Sequence, residues 1–539
     1  MRMKETALII NDISLAVTDS QDEAFSVARS RLKKAGLSLS NARFSIYRRS
    51  VDARKKKDIR LVYSVVAIGN FSVIDAAKMK ELHIALLRDE NISYAFGNER
   101  LSHPPVVVGA GPCGLFCALL LAKNGYAPIV LERGASVEER VATVARFHEK
   151  QTLDPETNVQ FGAGGAGTFS DGKLITRLND PHTAYILKTL VEMGADPDIL
   201  TKAKPHVGTD VLRTVTENLI RAIEENGGRV LFHTKFLEAI ERNGVVTAVK
   251  TSGGEIAAGA LILAIGHSAR DTYEALLSSP LSIEAKPFSV GMRIEHLTEN
   301  IDRAMYGDFA GHPALGHAEY SLSHNTKVRG VYTFCMCPGG TVVAAASEHG
   351  GVVVNGMSER ARDGKNSNSA VVCSVFKEDY GAKPQLAIDF QRSIERAAFV
   401  AGGSDYSAPF CTVGNFLGSA AEHRLGSVAP TYMAGKKLRF ARPESYLPTF
   451  VTENIRSALF SFDKKIEGFA ASDALLTGAE TRTSAPIRIL RNPETHLALG
   501  YKNLYPGGEG AGYAGGITSA ALDGTYIAIS LMEQYAPFY

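Results

Sequence analysis

The chain has 539 residues, 45% of them hydrophobic and 22% charged, with a formal net charge of +2. This length and composition bury several cores in two or three domains and exclude a disordered chain. No apolar run approaches the roughly 18 residues needed to span a bilayer, and Met1 to Val17, interrupted by Lys4, Glu5, Asn11 and Asp12, lacks the pattern of a secretory signal.

The near-balance of charge hides an asymmetry. Residues 1–100 carry 18 Lys and Arg against 12 Asp and Glu, whereas the remainder carries 41 against 45. A strand over Ala7 to Val17 and an amphipathic helix over Asp22 to Lys34 precede a basic run, Arg48 to Arg60. That run is flanked by strand-like Phe44 to Tyr47 and Leu61 to Ile68. Residues 1–95 therefore read as a small basic α+β domain carrying a basic hairpin or loop. Such a loop attracts phosphates, those of RNA or the 2′-phosphate of NADPH, or is solvated without a partner. Only Phe44, Tyr47 and Tyr63 lie near enough to stack on bases, so nucleic acid is the less favoured partner.

Pro105 to Val108 is a β-branched run that feeds a glycine fingerprint, an apolar helix (Leu115 to Lys123) and a second strand ending in Glu132. Strand, glycine turn, helix, strand and acid stand in the order a dinucleotide site requires. Gly109 permits the tight turn, Gly111 lets the backbone approach a pyrophosphate, and Gly114 lets the helix pack closely. Pro112 and Cys113 open the helix whose N-terminus faces the phosphates. Glu132 is placed to accept hydrogen bonds from ribose hydroxyls, with Arg133 beside it.

Downstream, Asn158 to Lys173 is too rich in glycine to hold a regular element. Gly164, Gly165, Ala166 and Gly167 suit backbone passing close to a planar or phosphorylated ligand, and Phe161 and Phe169 anchor the segment; the alternative is a flexible surface loop. A helix (Val211 to Asn226), a strand (Arg229 to Phe236) and a β-meander (Leu237 to Val249) follow, with turns at Asn243-Gly244 and Gly253-Gly254. Ala260 to Gly266 is an unalternating apolar strand, suited to a parallel sheet covered on both faces. Residues 276–485 hold short β runs and helices near Gln385 to Ala401 and Phe450 to Phe462, and read as an inserted substrate or catalytic domain.

The last segment, 486–539, carries a second glycine turn (Leu504 to Ile517) before a helix, Thr518 to Glu533. A nicotinamide dehydrogenase has no need of that turn, whereas FAD proteins commonly have one. Glu509 then holds the ribityl chain, Gly512 and Gly516 present amides, and the helix starting near Ile517 points at the flavin pyrimidine. The expected cofactor is FAD.

Together these segments resemble the FAD-dependent oxidoreductases of glutathione-reductase-type flavin fold, and more narrowly the bacterial FAD-utilising dehydrogenases. The resemblance covers nearly the whole chain and rests on Val106 to Gly114, Asn158 to Leu174, Lys204 to Asp210, Leu263 to Asp271, Phe334 to Gly340, Asn355 to Ser358 and Pro506 to Ile517. It implies a discontinuous, three-layer, Rossmann-type α/β flavin fold: 96–275 and 486–539 bind FAD, 276–485 is inserted, and 1–95 is appended. It also implies that a backbone group near Phe236 contacts adenine and that Gly266 lies close to the cofactor. The family pattern often places Cys after Pro506 and Glu after Gly162; Gly507 and Ala163 stand here, which excludes a redox cysteine at 507.

Catalysis is less sharply written. Cys335-Met336-Cys337 invites a redox disulfide, but a single intervening residue strains the ring. A single reactive thiolate and two packing cysteines are the other readings. His267, following a strand end beside the flavin, is a candidate general acid. Arg293, Glu295 and His296 form either a polar substrate wall or a structural network, and Glu348, His349 and Arg329 are unranked. No metal-binding spacing occurs. The six cysteines show no disulfide framework, Cys113 and Cys117 read as small core residues, and a reduced cytoplasmic location is expected. A second full GxGxxG after a buried strand is absent. The enzyme is thus expected to oxidise or reduce a small organic molecule, with NAD(P)H either visiting the flavin transiently or playing no part. The alternatives are a flavin-dependent RNA-modifying enzyme and a non-catalytic flavin sensor.

Overall fold

The computed structural model describes residues 5–71, 75–87, 92–175, 180–326, 328–419, 425–434 and 438–538. Backbone contacts divide the chain into two compact units. The first comprises residues 1–92, 180–206 and 302–318, so it takes in two segments that the sequence division assigned to the flavin and inserted domains. Residues 1–4, 72–74 and 88–91 of the expected N-terminal domain lie outside the described residues.

In the first unit a four-stranded antiparallel sheet has the order Arg43–Asp52, Arg60–Gly69, Thr6–Ala16, Ile84–Leu86. The helix Asp22–Lys34 buries Ala24, Ala28 and Leu32, one face at i, i+4 and i+8, and its terminal charges complement its dipole. The basic run divides differently from the sequence reading. Its first strand continues through Arg48 and Arg49 to Asp52, because Ser50 to Asp52 pair with Val62 to Arg60, leaving the exposed lysines 55–57 in the connecting turn.

The second unit is built on a five-stranded parallel sheet, ordered Leu504–Pro506, Ala260–Leu263, Pro105–Val108, Ile129–Leu131, Arg229–Leu231. These strands are apolar without alternation because both faces are covered. Val106, Val108, Leu261 and Leu263 pack on the side of Phe236, Val246 and Val249 from the meander. On the opposite face Val107 meets Gly114 of the helix Pro112–Lys123. That helix packs against Ile517–Gln534, and Gly524 allows the close approach: a Cβ there would lie 2.0 Å from the Cys113 carbonyl oxygen. A seven-stranded, mostly antiparallel sheet forms the inserted region around two ten-residue strands, Phe288–Leu297 and Asn366–Val375. Among the described residues no helix is long and apolar enough to cross a membrane.

Two local expectations are corrected. The run Arg229 to Phe236 is not one strand. It ends at Leu231, turns where the His233 and Thr234 amides donate to the carbonyls of Gly134 and Glu132, and resumes as the meander strand Phe236–Arg242. The glycine segment does contain regular structure, a 3₁₀ turn over Gly165–Phe169, because Gly162, Gly164 and Gly165 supply the positive φ that leads into it.

Candidate functional site: an FAD cavity

A cavity of about 340 Å³ lies where the three glycine segments meet in the second unit. Gly109, at φ +105°, turns the chain out of its strand, and its amide donates to the Leu131 carbonyl at 2.7 Å. Gly111 has ordinary backbone angles, and a Cβ there would find only the Gly165 Cα, 3.9 Å away. Pro112, which needs no amide partner, then starts the helix. The helix Ile517–Gln534 likewise starts on the cavity wall, preceded by Gly515 and Gly516, where a Cβ would meet nothing within 4 Å. Two positive helix ends and glycine backbone open to the cavity suit an anionic, planar dinucleotide, so the residues present fit FAD.

Most of the expected cofactor residues come together here. Gly109, Gly111, Pro112, Cys113, Glu132, Arg133, Gly165, Ala166, Gly167, Phe236, Gly266, Glu509, Gly516 and Ile517 all line the cavity. Gly114, Gly164 and Gly512 do not: they face Gly109, the Thr168 and Thr216 hydroxyls, and the Ile487 carbonyl, and are packing positions. Phe161 and Phe169 are buried, so the glycine segment is an anchored one. Its anchor includes a residue with no local signature. Fully buried Arg140 donates to the carbonyl oxygens of Asn158, Val159, Gly162 and Ala163. The C-terminal glycine turn is fixed similarly by Asp523, which accepts from the Gly508 amide at 2.7 Å and pairs with Arg491.

Glu132 does more than the ribose reading asks of it. Its carboxylate accepts from the backbone amides of Ala110 (3.0 Å), Gly134 (2.9 Å) and Gly162 (2.9 Å), fastening the fingerprint turn to the glycine segment. A carboxylate has about four acceptor sites, so one remains for a ribose hydroxyl. Glu132→Ala is therefore expected to weaken FAD binding by about 1–3 kcal/mol and also to lower the melting temperature of the FAD-free protein. Arg133 is occupied by Glu156 and by a two-pronged contact with Asp271, and stacks 4.3 Å over Phe161.

Cys335 lines the same cavity, in a bulge where the strand register shifts between Phe334 and Cys337, at φ +45°. Bulges of this kind re-aim a side chain beside an active site. Arg293 lies behind it, fully buried, donating to the Cys335 carbonyl (3.1 Å), Asn368 (2.6 Å) and Glu480 (3.1 Å). Lys173 lines the cavity, pairs with Asp171 at 2.6 Å and donates to the Met336 carbonyl. Asp171 in turn is held by Arg362 and Ser358. The Cys337 thiol, by hydrogen bonding, and the Arg293 and Lys173 cations hold the Cys335 thiol well below its ordinary range. Cys337 is pushed the other way by donating and by burial. Both cysteines are free, and the Cys337 thiol donates to the Cys335 carbonyl oxygen at 3.3 Å.

Other catalytic expectations are corrected. Burial, and then the Arg482 charge, pull His267 down to about 4, and its Nε2 lies 3.0 Å from the Arg482 carbonyl. His267 nevertheless lies on the cavity wall, as expected, and its imidazole is neutral at pH 7. Arg293, Glu295 and His296 are all buried and none lines the cavity, so they form a structural network and not a substrate wall. Glu295 accepts from Asn366 and Thr431, and His296 faces the Phe469 carbonyl at 2.7 Å. Cys337 is likewise buried off the wall, and Arg329 is spent on Asp379. Gln160, Lys173, Asn355, Glu480, Arg482 and Thr483 line the cavity without having been anticipated.

Fold and site define a flavoprotein of the Rossmann type whose cofactor is FAD. The chain belongs to the FAD-dependent oxidoreductase family. Residues 287–483 match the family model described as FAD-dependent protein, C-terminal domain-like, and residues 107–173 match the NAD(P)-binding Rossmann-like domain. An uncharacterised protein of Clostridium beijerinckii is 44% identical, over 98% of this chain and 99% of its own. Among solved structures, glycine oxidase from Bacillus cereus is 12% identical with a TM-score of 0.34, over 81% of this chain and 99% of that one. The L-amino acid deaminase of Proteus vulgaris is 10% identical with a TM-score of 0.35, over 83% and 94%.

Proposed function

We propose that this protein is a cytoplasmic FAD-dependent dehydrogenase or reductase of the bacterial FAD-utilising dehydrogenase group. In this reading it passes a hydride between FAD and a small organic substrate beside Cys335, and NAD(P)H reaches the cofactor without a second nucleotide domain. The observation that carries this reading is that Cys335 and Lys173 line the cavity formed by the glycine segments, with Arg293 buried behind Cys335. FAD, when bound, supplies a two-electron acceptor and donor. The chain supplies the rest. Gly111, Pro112 and Glu132 hold the phosphate and ribose end, and Lys173, itself fixed by Asp171, offers a cation to a polar substrate. Cys335 offers a negatively charged sulfur, with Arg293 as its positioning residue. Glu509 offers a group that titrates in the working range: burial raises its carboxyl to about 7.

The deciding experiment is an anaerobic titration of the yellow protein with NADH and then NADPH, followed by visible absorbance. Bleaching by either is the expected result. A flavin that resists both removes nicotinamide from the scheme, and one that also resists every reduced small molecule tried removes the enzyme reading. The Glu509 carboxyl adds a pH signature. Below pH 7 it is neutral and above pH 7 it is a carboxylate, which opposes the arrival of an electron pair. The rate of reduction is expected to fall as pH rises through about 7, and Glu509→Gln is expected to flatten that profile. A profile that keeps its break in the variant would assign it to another group.

A further inference from the structure

A second cavity of about 290 Å³ lies beside the first and shares only Arg133, Phe161 and Ser268 with it. Its walls come from the start of the helix Arg270–Leu277, the segment 347–351 and one face of the helix Pro384–Ala401. Four carboxylates and four guanidinium groups line it, and their pairing is uneven. Glu395, 1% exposed, is held by Arg270, Arg482 and the Thr481 hydroxyl. Glu348 is held by Arg270 and by Arg392. Glu156 and Asp271 are both held by Arg133 and Lys235. Every carboxylate is thus bound by at least two cations and has little left to offer a ligand.

The donors are not all spent. Arg396 lies on the wall one helical turn from Arg392 and has no hydrogen-bond or ion-pair partner among the described residues. His349 makes only a 3.5 Å contact with the Tyr406 hydroxyl. The Ser347 hydroxyl accepts from Arg482 and keeps its own proton to give. The helix beginning at Arg270 adds its positive end. A wall whose carboxylates are all paired and which keeps donors in surplus is arranged for an acceptor, and the ordered ion pairs keep the guanidinium groups from collapsing onto one another.

We infer that this second cavity is a binding site for a small organic anion, a carboxylate or a phosphate ester, recognised by Arg396, His349 and Ser347. The anion sits across Phe161 and Ser268 from the FAD cavity. The site is separate from the hydride-transfer reading and stands whether or not nicotinamide reduces the flavin.

The test uses the full-length, FAD-loaded protein and calorimetric titration at ionic strength held constant with chloride. Inorganic phosphate and malonate are the two probes. At least one is expected to bind saturably with a dissociation constant on the order of 1 mM. Arg396→Gln, an exposed position, is expected to weaken that binding by about ten-fold or more, the loss for a charge-assisted hydrogen bond, and Arg396→Lys to restore part of it. Binding of phosphate alone assigns the site to phosphate esters, and binding of malonate alone assigns it to carboxylates. Absence of saturable heat from both overturns the proposal. So does binding that Arg396→Gln leaves unchanged, since Arg396 does not line the FAD cavity and such binding would belong there.

Discussion

Gly111→Val is expected to yield a folded and colourless protein. At this position a Cβ meets no protein atom closer than 3.9 Å, and φ is −83°, so valine is expected to cost the apoprotein little. What it occupies is the cavity between the fingerprint turn and Gly165. Forcing a ligand past a misplaced branched side chain costs about 3 kcal/mol or more, a loss of at least roughly a hundred-fold in affinity. The neighbouring Gly114 is the control. A Cβ there would lie 1.9 Å from the Gly109 carbonyl oxygen, so Gly114→Val is expected to lose the fold itself. FAD content measured against the apoprotein's melting temperature separates the two. A fully yellow Gly111→Val protein would mean that the dinucleotide phosphates lie elsewhere.

Arg293→Ala has the second large effect, and it falls on stability. The change strands Glu480, 3% exposed, without the guanidinium that holds it, and frees the Asn368 carbonyl. Removing one partner of a buried ion pair costs about 3–5 kcal/mol. It also withdraws a cation from Cys335, whose thiol is then expected to titrate higher. Alkylation of the thiol across pH reads this directly. The double variant Arg293→Met with Glu480→Met removes both charges together and is expected to recover much of the stability while leaving the thiol high. An Arg293→Ala protein with unchanged melting temperature and unchanged thiol titration would show that Arg293 positions nothing.

How much of this was legible depended on how far each residue's reasons lie along the chain. The fingerprint could be read because strand, glycine turn, helix, strand and Glu132 follow one another within one βαβ unit. The helix Asp22–Lys34 could be read because its buried face repeats locally. Arg140 could not be singled out, since four carbonyl groups around residue 160 give it its role, and Arg293 meets Glu480 only 187 positions later. His267 was legible only in part for the same reason. Its place beside the flavin follows from the strand before it, but its protonation is set by burial and by the charge of Arg482, 215 residues away. The orientation of Cys335 rests on a bulge, and no pattern in Phe334 to Cys337 announces one.

The edge strand Leu504–Pro506 and the helix Ile517–Gln534 complete a sheet and a helix pair begun about 400 residues earlier. On a ribosome adding about 5–20 residues per second, the fingerprint helix waits roughly 20–80 s for its partner. During that interval the wall that carries Glu509 and Ile517 does not exist, so a chain not yet translated past Gln534 is expected to hold FAD poorly. Flavin loading is thereby tied to the making of this helix: only a chain translated through Ile517–Gln534 is expected to become yellow.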